Sequence, residues 1–179
     1  MSKEWTTKKL IGAGEIARRV RELGAEINTH YGGEEVTVVM LLNGALYFTA
    51  DLTRELTGKV KVEGLKVSSY HGGTNSTGKV DIDERSDLDL AGRHVLVVDD
   101  ILDTGQTLAT VTRALGQHSP RSLQTCVLLD KAVPRAEEFE ADFVGFTIAN
   151  QFVVGYGLDY QGYERNLPSI EVLEFVSPA

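Results

Sequence analysis

The chain has 179 residues, 42% hydrophobic and 25% charged, which fits one folded domain and leaves no case for disorder. A formal net charge of -8 argues against a general binder of nucleic acid or of a membrane surface, either of which would need a basic face. The lone cysteine, Cys126, lies in the apolar run Leu123–Leu129 and allows no disulfide within the chain.

The opening MSKEWTTKKL has no hydrophobic signal core. No apolar run approaches the roughly 20 residues that span a bilayer, so a soluble cytoplasmic protein is expected. Ile16, Val20, Leu23, Ile27 and Tyr31 recur at helical spacing and predict a helix before Val36, stopped by Gly32-Gly33. Val36–Leu42 (VTVVMLL) is continuous and β-branched, as a strand buried on both faces would be. Asn43-Gly44 reads as a turn, Ala45–Leu56 as a helix and Val60–Tyr70 as a strand. His71–Lys79 (HGGTNSTGK) reads as a flexible loop, with a strand over Val80–Glu84. Then follow a strand at Val95–Val98, a helix at Thr107–Gly116 and a strand at Leu123–Leu129. Short strands are expected at Phe143–Ile148, Phe152–Val154 and Ile170–Phe175.

Strands alternating with helices predict βαβ units and a mainly parallel sheet, an α/β fold. Ligands of such sheets sit beyond the carboxyl ends of the strands. Chemistry is therefore sought just after VTVVMLL, VLVV and CVLL.

The segment Val95–Leu108, VLVVDDILDTGQTL, is the most informative. A buried strand ends in two acids, and a short loop, Asp103-Thr104-Gly105-Gln106-Thr107, opens a helix. Successive backbone N–H groups in such a loop form an anion nest, and the helix N-terminus adds partial positive charge. Gly105 lets the backbone approach a phosphate, and Thr104 and Thr107 can donate hydroxyl hydrogen bonds to it. Asp99 and Asp100 offer hard oxygens to a sugar diol or to Mg²⁺. Taken alone, the segment also reads as a polar turn with an Asp or Thr helix cap.

The combination resembles the phosphoribosyl pyrophosphate (PRPP) signature of type I phosphoribosyltransferases. Leu41–Leu52 (LLNGALYFTADL), Leu128–Arg135 (LLDKAVPR), Asp142–Ile148 (DFVGFTI), Gln151–Tyr160 (QFVVGYGLDY) and Glu164–Pro168 (ERNLP) resemble the hypoxanthine-guanine members of that family, in the same order along the chain. The resemblance implies the family's fold: a mainly parallel central sheet flanked by helices, with a small hood over the base site. It implies one domain over residues 1–179, with a core at about 36–148 and a hood from the N-terminal segment and about 149–179.

It also implies residue roles. Asp99 and Asp100 would hold the ribose hydroxyls of PRPP, Asp99 standing where many relatives have Glu. Asp103 through Thr107, including Gln106, would bind the 5′-phosphate, and Asp103 would be the general base beside purine N7. Lys131 would donate to the purine O6, which favours 6-oxopurines because an ammonium has only donors to offer. Phe152 would stack on the purine, and Val153 would offer backbone groups to its exocyclic edge. Asp159 would reach Mg²⁺ through water, with Asp99 and Asp100 as further candidate ligands. Leu42, Asn43 and Gly44 would bind pyrophosphate through the backbone, with an unusual cis peptide among the family's features there. Many relatives carry Lys or Arg at position 43. Arg165 would meet pyrophosphate with its planar donor fork, and Arg135 would support this region or a subunit contact. Ser69 and Tyr70 would belong to a catalytic lid.

The implied reaction joins hypoxanthine or guanine to PRPP in the presence of Mg²⁺, giving IMP or GMP and pyrophosphate. A homodimer or homotetramer is implied, with small-molecule substrates and no nucleic-acid or membrane partner. A xanthine-preferring enzyme and a PRPP-fold regulator of nucleic acid are the competing readings. The regulator would need a basic face or an appended domain.

Overall fold

The computed structural model of the chain describes residues 5–69, 80–82 and 88–176. Its larger sheet has six strands: β2 (Val36–Leu42), β3 (Val60–Ser69), β4 (Val80–Ile82), β5 (His94–Leu102), β6 (Ser122–Lys131) and β7 (Phe143–Ile148). Their order is β4-β3-β2-β5-β6-β7. All neighbours pair in parallel except β4, which runs antiparallel on the edge of β3.

The apolar strands alternate between two cores, as side chains of period two must. Val38, Leu96, Val98 and Leu128 face one layer, into which helices α1 (Ala13–Tyr31) and α2 (Leu46–Glu55) pack Ile16, Leu23, Ile27, Phe48 and Leu52. Val39, Val97 and Val127 face the other layer, with Leu108, Val111 and Leu115 of helix α3 (Gln106–Gly116). Helix α1 buries the predicted stripe Ile16, Val20, Leu23, Ile27 and Tyr31. Its first turn is closed by Glu15, whose carboxylate accepts the Gly12 N–H at 2.9 Å.

A second, antiparallel sheet has the order β1-β9-β8, with β1 at Trp5–Ile11, β8 at Val153–Val154 and β9 at Ile170–Phe175. Strand β1 was not expected: the apolar spacing before Val36 predicts only a helix. Its Thr-Thr-Lys-Lys stretch is largely exposed, so it shows little burial pattern, and pairing with β9 makes it a strand. β5 also runs further than expected. It continues through Asp99 and Asp100 to Leu102, because Asp99, Ile101 and Leu102 still pair with Val127, Leu129 and Asp130 of β6.

Candidate active site

Three parallel strands end together: β2 at Leu42, β5 at Leu102 and β6 at Lys131. Between the ends of β2 and β5 lies a cavity of about 340 Å³. It is lined by Leu42, Asn43, Gly44, Asp99, Asp100, Asp103, Thr104, Gly105, Thr107, Asp159 and Arg165. Most of the residues marked in the sequence thus meet around one space.

The loop between β5 and α3 is held from behind. Arg135 Nη1 donates to the Leu102 carbonyl at 3.2 Å and also to the Asp103 carbonyl, while its Nη2 pairs with Asp130. The Thr104 carbonyl accepts the N–H groups of Ala136 and Glu137 at 2.9 and 3.3 Å. In a trans peptide the carbonyl and the following N–H point opposite ways. Three carbonyls drawn outward therefore turn the N–H groups of Asp103, Thr104 and Gly105 away from Arg135, as an anion nest needs. Gly105 has φ +85°, and a Cβ there would sit 2.8 Å from the Glu137 carbonyl, so glycine is required.

Asp99 and Asp100 form the acidic side of the cavity. Asp99 is 8% exposed and accepts the Asp100 N–H at 2.9 Å. Burial, then the neighbouring Asp100 charge, pushes its carboxyl well above the usual carboxylate range. Burial also raises Asp100, opposed in part by the charge of Arg165. Such a pair is complemented by hydroxyl donors or by a cation. A Cβ at position 44 would lie 1.7 Å from Asp100 Oδ2, so Gly44 is what lets this carboxylate approach the loop after β2. The Leu42–Asn43 peptide is cis.

The opposite wall comes from the segment after β8. Arg165 pairs with Asp159 at 2.7 Å and donates to the Gly157 carbonyl at 2.6 Å. Asp159 also accepts the Gly162 N–H at 2.7 Å. Lys131, its side chain 12% exposed, donates to Asp103 at 2.9 Å. Lys131, Phe152, Val153 and Gln106 do not line the cavity itself. Val153 is buried in the small sheet, whereas Phe152 is 51% exposed. Ser69 ends β3, and Tyr70 lies outside the described residues, as does most of the expected lid.

Among the described residues no group of three or more His, Cys, Asp or Glu side chains forms a closed metal cage. The carboxylate oxygens of Asp99 and Asp100 are the hard ligand type that Mg²⁺ takes. The support given by Arg135 was left undecided by the sequence, because only the fold returns it to the β5–α3 loop.

A strand, a paired acid and an anion loop at a helix start are the site plan of enzymes that handle sugar phosphates. The chain matches the family described as "Phosphoribosyl transferase domain" over residues 8–161. The hypoxanthine-guanine phosphoribosyltransferase of Aquifex aeolicus is 47% identical over 168 residues, spanning 93% of this chain and 94% of that protein. A crystal structure of the hypoxanthine-guanine phosphoribosyltransferase of Bacillus anthracis, with HEPES in its active site, superposes with a TM-score of 0.87 at 36% identity, covering 95% of this chain and 99% of the other. The hypoxanthine phosphoribosyl transferase of Trypanosoma cruzi gives a TM-score of 0.88 at 38% identity, covering 97% and 94%. The chain is a transferase and belongs to the hypoxanthine-guanine phosphoribosyltransferase family.

Proposed function

We propose that the chain carries out purine salvage, transferring the phosphoribosyl group of PRPP to N9 of hypoxanthine or guanine. One observation carries this reading: Asp103, Thr104, Gly105 and Thr107 of the nest and the Asp99–Asp100 pair face one cavity at the sheet's carboxyl edge. A 5′-phosphate suits the backbone donors of the first feature, and a ribose diol suits the carboxylate acceptors of the second.

Purine N9 would attack C1 of the ribose as the C1–O bond to pyrophosphate breaks. The proton leaving the imidazole ring would pass to Asp103. Lys131, in contact with Asp103, would stabilise negative character at O6. Asn43, Gly44 and Arg165 would hold the departing pyrophosphate, and Phe152 and Val153 would frame the base. Asp99, Asp100 and Asp159 would hold Mg²⁺, which when bound neutralises phosphate charge. Much of the acceleration would come from positioning and electrostatics. Ser69 and Tyr70 would close over the site and exclude water.

A homo-oligomer in the cytoplasm fits this reading. The Trypanosoma cruzi relative was solved to address how its C-terminal region affects oligomeric state and activity. No described helix is long and apolar enough to cross a membrane.

The test is nucleotide formation from PRPP and Mg²⁺ with hypoxanthine, guanine, xanthine and adenine in parallel. Hypoxanthine and guanine should turn over and adenine hardly at all. Asp103→Asn should lose about 10²- to 10⁴-fold in kcat. PRPP binding without turnover of any purine would sink the reading.

A further inference from the structure

We propose that Tyr160 is the positioning residue of the base wall: it sets the Phe152 ring and links it to Trp5, the chain's only tryptophan. The proposal rests on the reading of Phe152 as the ring beneath the purine.

Phe152 needs such support. It is 51% exposed at the edge of β8, where its carbonyl accepts the Leu173 N–H at 2.9 Å. A ring free to change rotamer must be ordered each time a base stacks on it, and that ordering weakens binding. Tyr160 meets Phe152 edge to face, with centroids 5.8 Å apart and planes at 90°. This arrangement is favoured by the ring quadrupoles.

Tyr160 is itself fixed on several sides. It packs edge-on against Phe175 at 5.6 Å and against Trp5 at 5.1 Å. Its backbone pairs with Tyr163 in both directions, at 3.1 and 2.9 Å. Trp5 is held in turn by Nε1, which donates to Glu164 at 3.2 Å. The rings Phe152, Tyr160 and Trp5 therefore form one contiguous row from the base wall to β1. Tyr160 directly follows Asp159 in the chain, so the same short segment serves both the base wall and the pyrophosphate side of the cavity.

The experiment combines steady-state kinetics with Trp5 fluorescence. In the unaltered chain, IMP should change Trp5 emission and ribose 5-phosphate, which lacks the base, should not. Tyr160→Leu should raise KM for hypoxanthine about three- to tenfold while leaving KM for PRPP unchanged. It should also abolish the fluorescence response to IMP. Tyr160→Phe should restore both. Tyr163→Leu alters the other ring beside Trp5 without touching Phe152, and should leave KM for hypoxanthine unchanged. An unchanged KM for hypoxanthine in Tyr160→Leu overturns the proposal, and so does an equal rise in both KM values, the mark of a generally loosened sheet. Emission indifferent to IMP overturns the link to Trp5. Failure of the unaltered chain to turn over hypoxanthine is a separate result, and strikes the purine reading beneath the proposal.

Discussion

Asn43 stands at the cavity edge with no charge of its own. The loop after β2 offers backbone N–H groups and the small Gly44, and Arg165 is already paired with Asp159. Asn43→Lys adds an ammonium at the cavity edge, and an exposed charge pair of this kind is worth about 0.5–1 kcal/mol. Pyrophosphate should then inhibit two- to fivefold more tightly at low salt, with the gain fading as ionic strength rises. Competition assays at two salt concentrations would check this, and a salt-independent gain would mean that the new side chain acts by something other than its charge. At this scale the sequence was informative where residues that act together are neighbours in the chain. Asp99, Asp100, Asp103, Thr104, Gly105 and Thr107 lie within one short segment, and the fold keeps them together at one cavity. It was silent where they are not. Nothing local to Arg135 shows that it reaches back to Leu102 and Asp103, and nothing local to Lys131 shows that it rests on Asp103.

The β5–α3 connection is a nest only while its carbonyls are occupied elsewhere, and Arg135, Ala136 and Glu137 occupy them. The Ala136 and Glu137 contacts come from backbone N–H groups and do not depend on the side chain at position 135; those of Arg135 do. Arg135→Met keeps most of the aliphatic bulk but removes every donor, leaving the Leu102 and Asp103 carbonyls free to turn. KM for PRPP should rise about tenfold, the cost of roughly one net hydrogen bond to a preorganised loop. KM for hypoxanthine should move little, and added guanidinium should restore part of the loss. A variant whose two KM values rise in step would show Arg135 to be a general brace of the fold. The same connection shows how elements deceive a reader of sequence. Asp99 and Asp100 look like the end of a strand because charged side chains usually leave a sheet, yet the backbone pairs on to Leu102. Strand β1 escaped for the opposite reason. Its Lys8 and Lys9 look like a solvated tail, and only the register with Val172 and Glu171 makes them part of a sheet.

Across the whole molecule, the site depends on two sheets keeping their relative place. The larger sheet supplies the anion loop and the acid pair, and the segment between β8 and β9 of the small sheet supplies Asp159 and Arg165. A side-chain hydrogen bond joins the two parts: the Tyr156 hydroxyl donates to Asp51 of α2 at 2.6 Å. Burial, then the adjacent Asp51, raises the Tyr156 phenol above its ordinary value, so it stays a neutral donor through the neutral and mildly alkaline range. Helix α2 begins directly behind the Asn43-Gly44 loop, so this bond ties the Arg165 segment to the Asn43-Gly44 side of the cavity. Tyr156→Phe keeps the packed ring and removes the donor. Asp51 is half exposed and can return to water, so the loss should stay near 1–2 kcal/mol, a fall of about 2–6 °C in Tm. KM for pyrophosphate in the reverse reaction should rise as well, because Arg165 is carried on the segment released. Unchanged melting together with an unchanged KM for pyrophosphate would show that backbone packing alone, with Gly157 against the Gly44 carbonyl, holds the two sheets in register.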